Sequence, residues 1–510
     1  MLQCALRYLL LGLIACCIPT IASAEWREAS SPNFLVYGDQ SESQIRDFTD
    51  MLERYRSAMR FIYKLPEEAT SPSNRLTVFV VRDEGQVRKL LGNGSRFVSG
   101  FYQSRAGGSV AFVPRVGDNS RSDRVSDGER ILLHEYAHHF MFSVFSGSPP
   151  LWMAEGFAEF YASAKFEKGG AVGLGLPADH RAAELVLAQE VPLDMLLSTR
   201  KYRENASKRY DAFYGRSWLL FHYLTFSDNR PGQMADYLRR IDAGQGEEAA
   251  AANAFGDLAV LDKELGSYMK QRRMTYLRLG PERIQSAEIN IRTLSKGKAA
   301  ILPVVMRSRR GVNEEQAKIV VEEARKIAAS YPEEAFVQTA LAEAEYDAGD
   351  NDAAIAAADR ALARDPQAIN AAIQKIYAQF SMADDDGKDG QWPKVRQAIA
   401  AANAIENDNP IPLMYFFRTF AREGKTPPDM AVHGLERALV LAPYDTALRL
   451  NLGQHQIKQG ELEAAQMTLR PLLNHPHDSE LAEFARKLLD GKGELAPDYE
   501  VKNAEADVSP

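Results

Sequence analysis

Cysteine is almost absent: three occur in 510 residues, at positions 4, 16 and 17. Nothing beyond Cys17 can form a disulfide or offer a thiolate to a metal, so stability must come from buried cores and any metal must be held by other side chains. An excess of positive charge is also missing. Lysine and arginine number 61 against 69 aspartates and glutamates, a net charge of −8. That balance, with no long basic run, excludes a general polyanion-binding role, and nucleic acid is not expected as a partner. The apolar run from Tyr8 to Ala15 falls short of the ~20 residues that a membrane-spanning helix needs. What remains is 45% hydrophobic and 25% charged, the make-up of a folded chain of two or three domains.

The first residues read as an export signal. Arg7 precedes the apolar run, Pro19 follows it, and Ala22-Ser23-Ala24 forms a small-residue cleavage site before Glu25. Residues 1–24 are therefore expected to be removed, leaving a mature chain without a transmembrane span in an exported, periplasmic setting. Leu13-Ile14-Ala15-Cys16 also fits a bacterial lipobox, and the alternative is a lipoprotein anchored through Cys16.

From Asn33 to Asp39 the pattern predicts a strand, and from Ser41 to Lys64 a helix with Ile45, Phe48, Met51, Leu52, Tyr55, Met59 and Ile62 at helical spacing. Leu76 to Val81 reads as a buried strand, Glu84 to Leu91 as a short helix, and Gly100–Ser104 with Ser109–Pro114 as two strands joined at Ala106-Gly107-Gly108. Helices are expected over Glu129–Phe145, from Leu151 toward Phe166, and at His180–Glu190, Ser207–Phe226, Pro231–Asp242 and Leu258–Arg273. Residues 25–280 thus form an α+β domain. Residues 281–312 alternate weakly, as in Ala300-Ile301-Leu302-Pro303-Val304-Val305, and read as a linker with short strands.

Beyond Asn313 the chain is alanine-rich and helical, with prolines at 332, 366, 410, 443 and 476, at intervals of 34, 44, 33 and 33 residues. That is the tetratricopeptide period, in which helix pairs stack into a solenoid. The long interval contains the polar insertion Ala383 to Gly390, and Leu341, Ala342, Gly349, Ala354, Ala358, Ala361 and Pro366 fall at the packing positions of one unit. Residues 313–492 are expected to be an all-α repeat solenoid that binds a protein partner, and 493–510 a disordered tail.

The chemistry concentrates at His134-Glu135-Tyr136-Ala137-His138. On a helix the two histidines, four apart, share a face and can bind one zinc ion, with Glu135 beside them as general base. A catalytic zinc site takes three protein ligands and leaves the fourth position to water, so a third ligand is required. The metzincin pattern needs a glycine and a third histidine where Met141 and Val144 stand, which removes that branch. A helix opening near Tyr214 could face the site and supply an oxyanion donor, with Tyr210 as competitor. His139 and His222 are expected to pack rather than react.

Leu151 to Glu159 then carries a resemblance. Trp152-Met153-Ala154-Glu155-Gly156-Phe157-Ala158-Glu159 is similar to the second-helix segment of gluzincin metallopeptidases, which implies Glu155 as third zinc ligand. Sixteen residues separate it from His138, a shorter connection than in the aminopeptidase-like gluzincins, which argues against that branch. Glu159, one turn on, competes for the ligand role; by the same resemblance it is assigned to hold a zinc histidine through its other ring nitrogen. Together with Phe34-Leu35-Val36-Tyr37 and Val98-Ser99-Gly100-Phe101-Tyr102, these segments resemble the bacterial peptidase MA-like gluzincin domains once termed DUF1570, many of which carry tetratricopeptide repeats.

The resemblance implies an α+β zincin-like metallopeptidase domain followed by the solenoid, and an exported zinc metallopeptidase in which Glu135 assists attack by a zinc-bound water. A peptide or protein is the implied substrate. No Gly-x-Met-Glu-Asn signature precedes the motif, which favours an endopeptidase, and Ser109–Val113 is a candidate edge strand for an extended substrate. The rival from another class is a non-catalytic scaffold whose repeats carry the function beside a vestigial zinc domain.

Overall fold

The structure is a computed structural model that describes residues 25–67, 70–92, 100–115, 125–205, 210–475 and 478–496. The expected export segment with Cys16, the tail from residue 497, and Val98-Ser99 lie outside the described residues. Among the described residues no helix is long and apolar enough to cross a membrane.

The chain opens with β1 (Arg27–Ser30), β2 (Phe34–Gly38), α1 (Glu42–Ile62), β3 (Leu76–Val81), α2 (Glu84–Leu91), β4 (Phe101–Gln103) and β5 (Val110–Pro114). Helix α1 starts in a capping box, Ser41 with Gln44, which satisfies two of its free N–H groups. A late strand, β9 (Asn290–Thr293), completes a six-stranded sheet in the order β4-β5-β3-β2-β1-β9. Strands β2, β3 and β5 run parallel, and the remaining pairs are antiparallel.

Strand β5 therefore lies inside the sheet, between β3 and β4. The expectation of an edge strand at Ser109–Val113 is corrected, because β4 and β9 hold the two edges. The unbroken burial of Val110 to Val113 is what an interior strand shows.

Successive side chains point to opposite faces, so this sheet builds two cores. Val36, Val78, Val80, Ala111 and Val113 face α1 and the helix α3 (Asp127–Val144). Tyr37, Phe79, Phe112 and Phe101 face the other way, and their rings stack in series across β2, β3, β5 and β4 at centroid separations of 5.4, 5.3 and 4.6 Å. Behind α3 come α4 (Leu151–Ala162), β6 (Lys165–Phe166) and β7 (Val172–Leu174). Seven helices follow: α5 (Ala182–Leu187), α6 (Leu193–Leu196), α7 (Thr199–Asn205), α8 (Phe213–Phe226), α9 (Gln233–Asp242), α10 (Glu247–Phe255) and α11 (Leu258–Met269). Strand β8 (Leu277–Leu279) pairs with β7 in a three-stranded sheet.

The linker of short strands is corrected in its second half. Lys296–Arg310 is a helix, α12, with Ile301, Leu302 and Val305 laid on the aromatic face of the sheet. It is covered by the sheet on one side and by further helices on the other. Its apolar residues therefore run on without the gaps of an amphipathic helix, and periodicity alone does not separate such a run from a buried strand.

From α12 onward the chain is a series of TPR-like helix pairs. Helix α12 pairs with α13 (Glu314–Ser330), α14 (Ala335–Asp347) with α15 (Asn351–Arg364), and α16 (Ile369–Asp385) with α17 (Trp392–Ile405). Two more pairs are α18 (Pro410–Arg422) with α19 (Asp429–Leu441) and α20 (Thr446–Gln459) with α21 (Leu462–Leu469), and α22 (Ser479–Leu489) closes the series. Small side chains stand where helices cross: Ala342, Ala354, Ala358 and Ala361 are fully buried, and a Cβ on Gly453 would lie 2.6 Å from the Leu469 side chain. The insertion at 383–390 lengthens the turn inside the third pair, where the Trp392 indole donates to the Gly387 carbonyl.

Phe112 sits mid-ladder with no exposed surface. Phe112→Ala is expected to cost about 3–5 kcal/mol, read as a lowered midpoint in urea unfolding of the full chain.

Candidate metal centre

The motif lies on α3, whose N-terminus is closed by a capping box between Ser126 and Glu129 and whose middle is pinned where the Tyr55 hydroxyl donates to the Leu133 carbonyl. Every residue of α4 is buried, as expected for a helix apolar on nearly all sides. It packs against α3 on one flank and α8 on another.

Three donor atoms meet between α3 and α4. His134 Nε2 and His138 Nε2 are 3.2 Å apart, and Glu155 Oε2 lies 3.4 Å from the first and 3.5 Å from the second. Donors at ~2.0–2.1 Å from a tetrahedral zinc ion are separated by roughly 3.3–3.4 Å. The triangle thus has the edge lengths of three zinc ligands. Among the described residues these three side chains are the group able to hold a metal ion, and their donor set of two imidazoles and one carboxylate fits zinc.

Glu159 sits behind this triangle. Its Oε1 is 3.3 Å from His134 Nδ1, which turns Nε2 toward the other two donors. It also accepts from His180 Nε2 at 2.6 Å and from Arg181 at 2.6 and 3.1 Å. Burial raises its carboxyl, but the Arg181 charge and the bonds to His134 and His180 outweigh that and hold it well below the usual range. At His134 burial disfavours the cation, while hydrogen bonds to Glu155 and Glu159 prevail and push it up to about 10.

His180 and Arg181 escaped the sequence reading. They lie in a single 3-10 turn, Asp179–Arg181, just before α5, and no spacing ties them to residues 134 or 159. Arg181 also bonds Glu184, which accepts the Gly215 N–H at 2.5 Å on the first turn of α8. Tyr214, on the same turn, places its ring 4.8 Å from the Arg181 guanidinium. Burial, then the charge of Glu155, raises its hydroxyl well above the ordinary value, so it remains a donor. Tyr210 is 66% exposed and lies within the field of Glu184 and Arg181. Glu135 is 1% exposed on the motif turn.

Neither extra histidine faces the triangle. The Tyr102 hydroxyl and His139 Nδ1 are 2.6 Å apart. His222 donates from Nε2 to the Gly175 carbonyl at 3.0 Å and accepts at Nδ1 from the Tyr268 hydroxyl at 2.8 Å.

No family model matches the chain, and no curated protein does. Among solved structures the chain is similar to TTC0263, a thermophilic TPR protein of Thermus thermophilus, at 16% identity, covering 38% of this chain and 98% of that one with a TM-score of 0.33. It is also similar to a MamA RS-1 ArsTM double mutant, at 13% identity over 35% and 94% of the two chains with a TM-score of 0.27. A third is pilF of Pseudomonas aeruginosa, at 16% identity over 38% and 85% with a TM-score of 0.30.

A Cβ on Gly156 would sit 2.5 Å from the Ser217 carbonyl oxygen. Gly156→Ala is expected to part α4 from α8 and cost about 1–3 kcal/mol, seen as a lower melting temperature. Burial lowers His222 to about 4, whereas in the unfolded chain it titrates near 6.5. The unfolded state therefore binds the extra proton, and stability falls as pH drops from about 6.5 to about 4, by up to about 3 kcal/mol. His222→Gln should flatten that part of the melting-temperature profile.

Proposed function

We propose that the chain is an exported zinc-dependent metallopeptidase with a zincin-like domain of the gluzincin type, acting as an endopeptidase, whose helix pairs bind a protein partner or substrate. The supporting observation is the triangle of His134, His138 and Glu155 with edges of 3.2–3.5 Å. A zinc ion held by these three side chains would supply a Lewis acid that polarises a carbonyl and acidifies water near neutral pH. Glu135 is the base: its carboxylate takes a proton from the attacking water and passes it to the leaving amine. Tyr214 donates a hydrogen bond from its hydroxyl to the oxygen that gains charge. Glu159 keeps His134 turned so that Nε2 faces the other donors.

Two observations favour a second reading, a non-catalytic exported scaffold. The TPR-like pairs suit protein binding, and the residues at the site's centre are only 1–4% exposed, which suits a closed structural metal site.

Metal analysis of the purified full chain and digestion of a mixed peptide library separate the two. The peptidase reading expects about one zinc per chain, loss of cleavage with a chelator, and a turnover in Glu135→Gln lower by about 100- to 10,000-fold with zinc retained. Bound zinc without any Glu135-dependent cleavage selects the scaffold.

A further inference from the structure

The turn between β4 and β5 is seated in the helical array. It meets the first helix of each successive pair. Gln103 Nε2 donates to the Arg310 carbonyl at the end of α12, at 2.7 Å. Arg105 donates from Nε to the Gly108 carbonyl at 3.2 Å; burial and the Arg309 charge oppose its cation, while Glu343 and Asp347 on α14 and Tyr377 on α16 favour it. Gly107, at φ +73°, approaches α18 so closely that a Cβ would be 2.6 Å from Ile411 Cγ1. The Ala106 N–H donates at 2.7 Å to Oδ2 of Asp445, the N-cap of α20. Five helices thus converge on six residues.

These contacts have the form of peptide recognition. One cationic side chain lies in the field of two acids, one backbone N–H meets a carboxylate, and small residues allow close approach to an apolar wall. Burial and then the Glu343 charge lift Asp347 to about 7, and a hydrogen bond from Ser308 and then the Arg105 charge oppose that rise.

We propose that the inner face of the array is a peptide-binding groove whose resident ligand is the chain's own Gln103–Gly108 turn. The external partner is a segment of the same chemistry, an arginine followed by small residues with a free backbone N–H. The proposal rests on the array being a protein-binding surface and adds what it binds and what already fills it. Displacement has a route to the metal centre: Tyr102, just before the turn, pairs with His139, the neighbour of His138.

The test uses the full chain and a fluorescein-labelled peptide, Gln-Ser-Arg-Ala-Gly-Gly-Ser, followed by anisotropy and by hydrogen exchange of the 101–110 amides. Arg105→Ala with Gly107→Val should release the turn while leaving the groove intact, and its fold is checked by a thermal melt. The proposal expects the peptide to bind this variant at least ten-fold more tightly than the wild type. It also expects that tightness to vanish when Glu343→Gln and Asp347→Asn are added or the peptide arginine is replaced, and excess peptide to speed exchange at 101–110 in the wild type. Free exchange at the turn without peptide binding overturns it, as does a turn that stays protected in both chains under excess peptide. Library peptides that bind the array without changing exchange at 101–110 would defeat the groove proposal and leave the broader reading standing; absence of any peptide binding would sink both.

Discussion

Glu159 carries a negative charge where water scarcely reaches. A carboxylate taken out of water costs several kcal/mol unless charged or hydrogen-bonding partners replace the solvent, and the surroundings of Glu159 follow from that requirement. His134, His180 and Arg181 surround it. Arg181 is held in turn by Glu184, and Glu184 holds the start of α8 through the Gly215 amide. One buried charge therefore ties α3, α4, α5 and α8 together and fixes the ring orientation of His134. The donor triangle is the visible end of this network.

The second organising constraint is the two-faced sheet. Its inner face supports α1 and α3, the helix that carries the candidate metal centre. Its aromatic face belongs to the helical array, through α12. The change in composition near residue 313 marks where the alanine-rich units begin, and the hydrophobic core runs straight across it. The array also returns to the first half at His139, which lies 4.2 Å from Tyr444 between ring centroids, and at Phe142, stacked on His475. The motif-bearing helix is thus held from behind by the repeats.

Local patterns were legible in the sequence. The strand at Leu76–Val81, the helix after Ser41 and the helix pairs with their small crossing residues are set by side chains a few positions apart, and such spacing survives in the sequence. The pairing of His134 with His138 was readable for the same reason. Partners brought in by tertiary folding were not: His180 and Arg181 reach Glu159 from 21 and 22 residues away, beyond the end of α4, β6 and β7. The order of the strands and the helical state of Ile301 to Val305 depend on which surface covers which, and two-sided burial erases the period that would have revealed it. Glu155 and Glu159 stand one turn apart in similar burial, and only their partners tell them apart, the two Nε2 atoms for Glu155 and His134 Nδ1, His180 and Arg181 for Glu159.

The aromatic ladder also sets a schedule. Phe79, Phe101 and Phe112 are synthesised well before Lys296, where the helix that covers them begins; from Phe112 the gap is 184 residues, 296 minus 112. At roughly 5–20 residues per second that interval lasts about 10–40 s. For that time the nascent sheet displays a stack of uncovered rings and lacks the edge strand β9, which closes it only at residue 290. The apolar face of this sheet therefore has no cover until the helix from Lys296 has been made, and that is the interval in which a holding chaperone has something to grip.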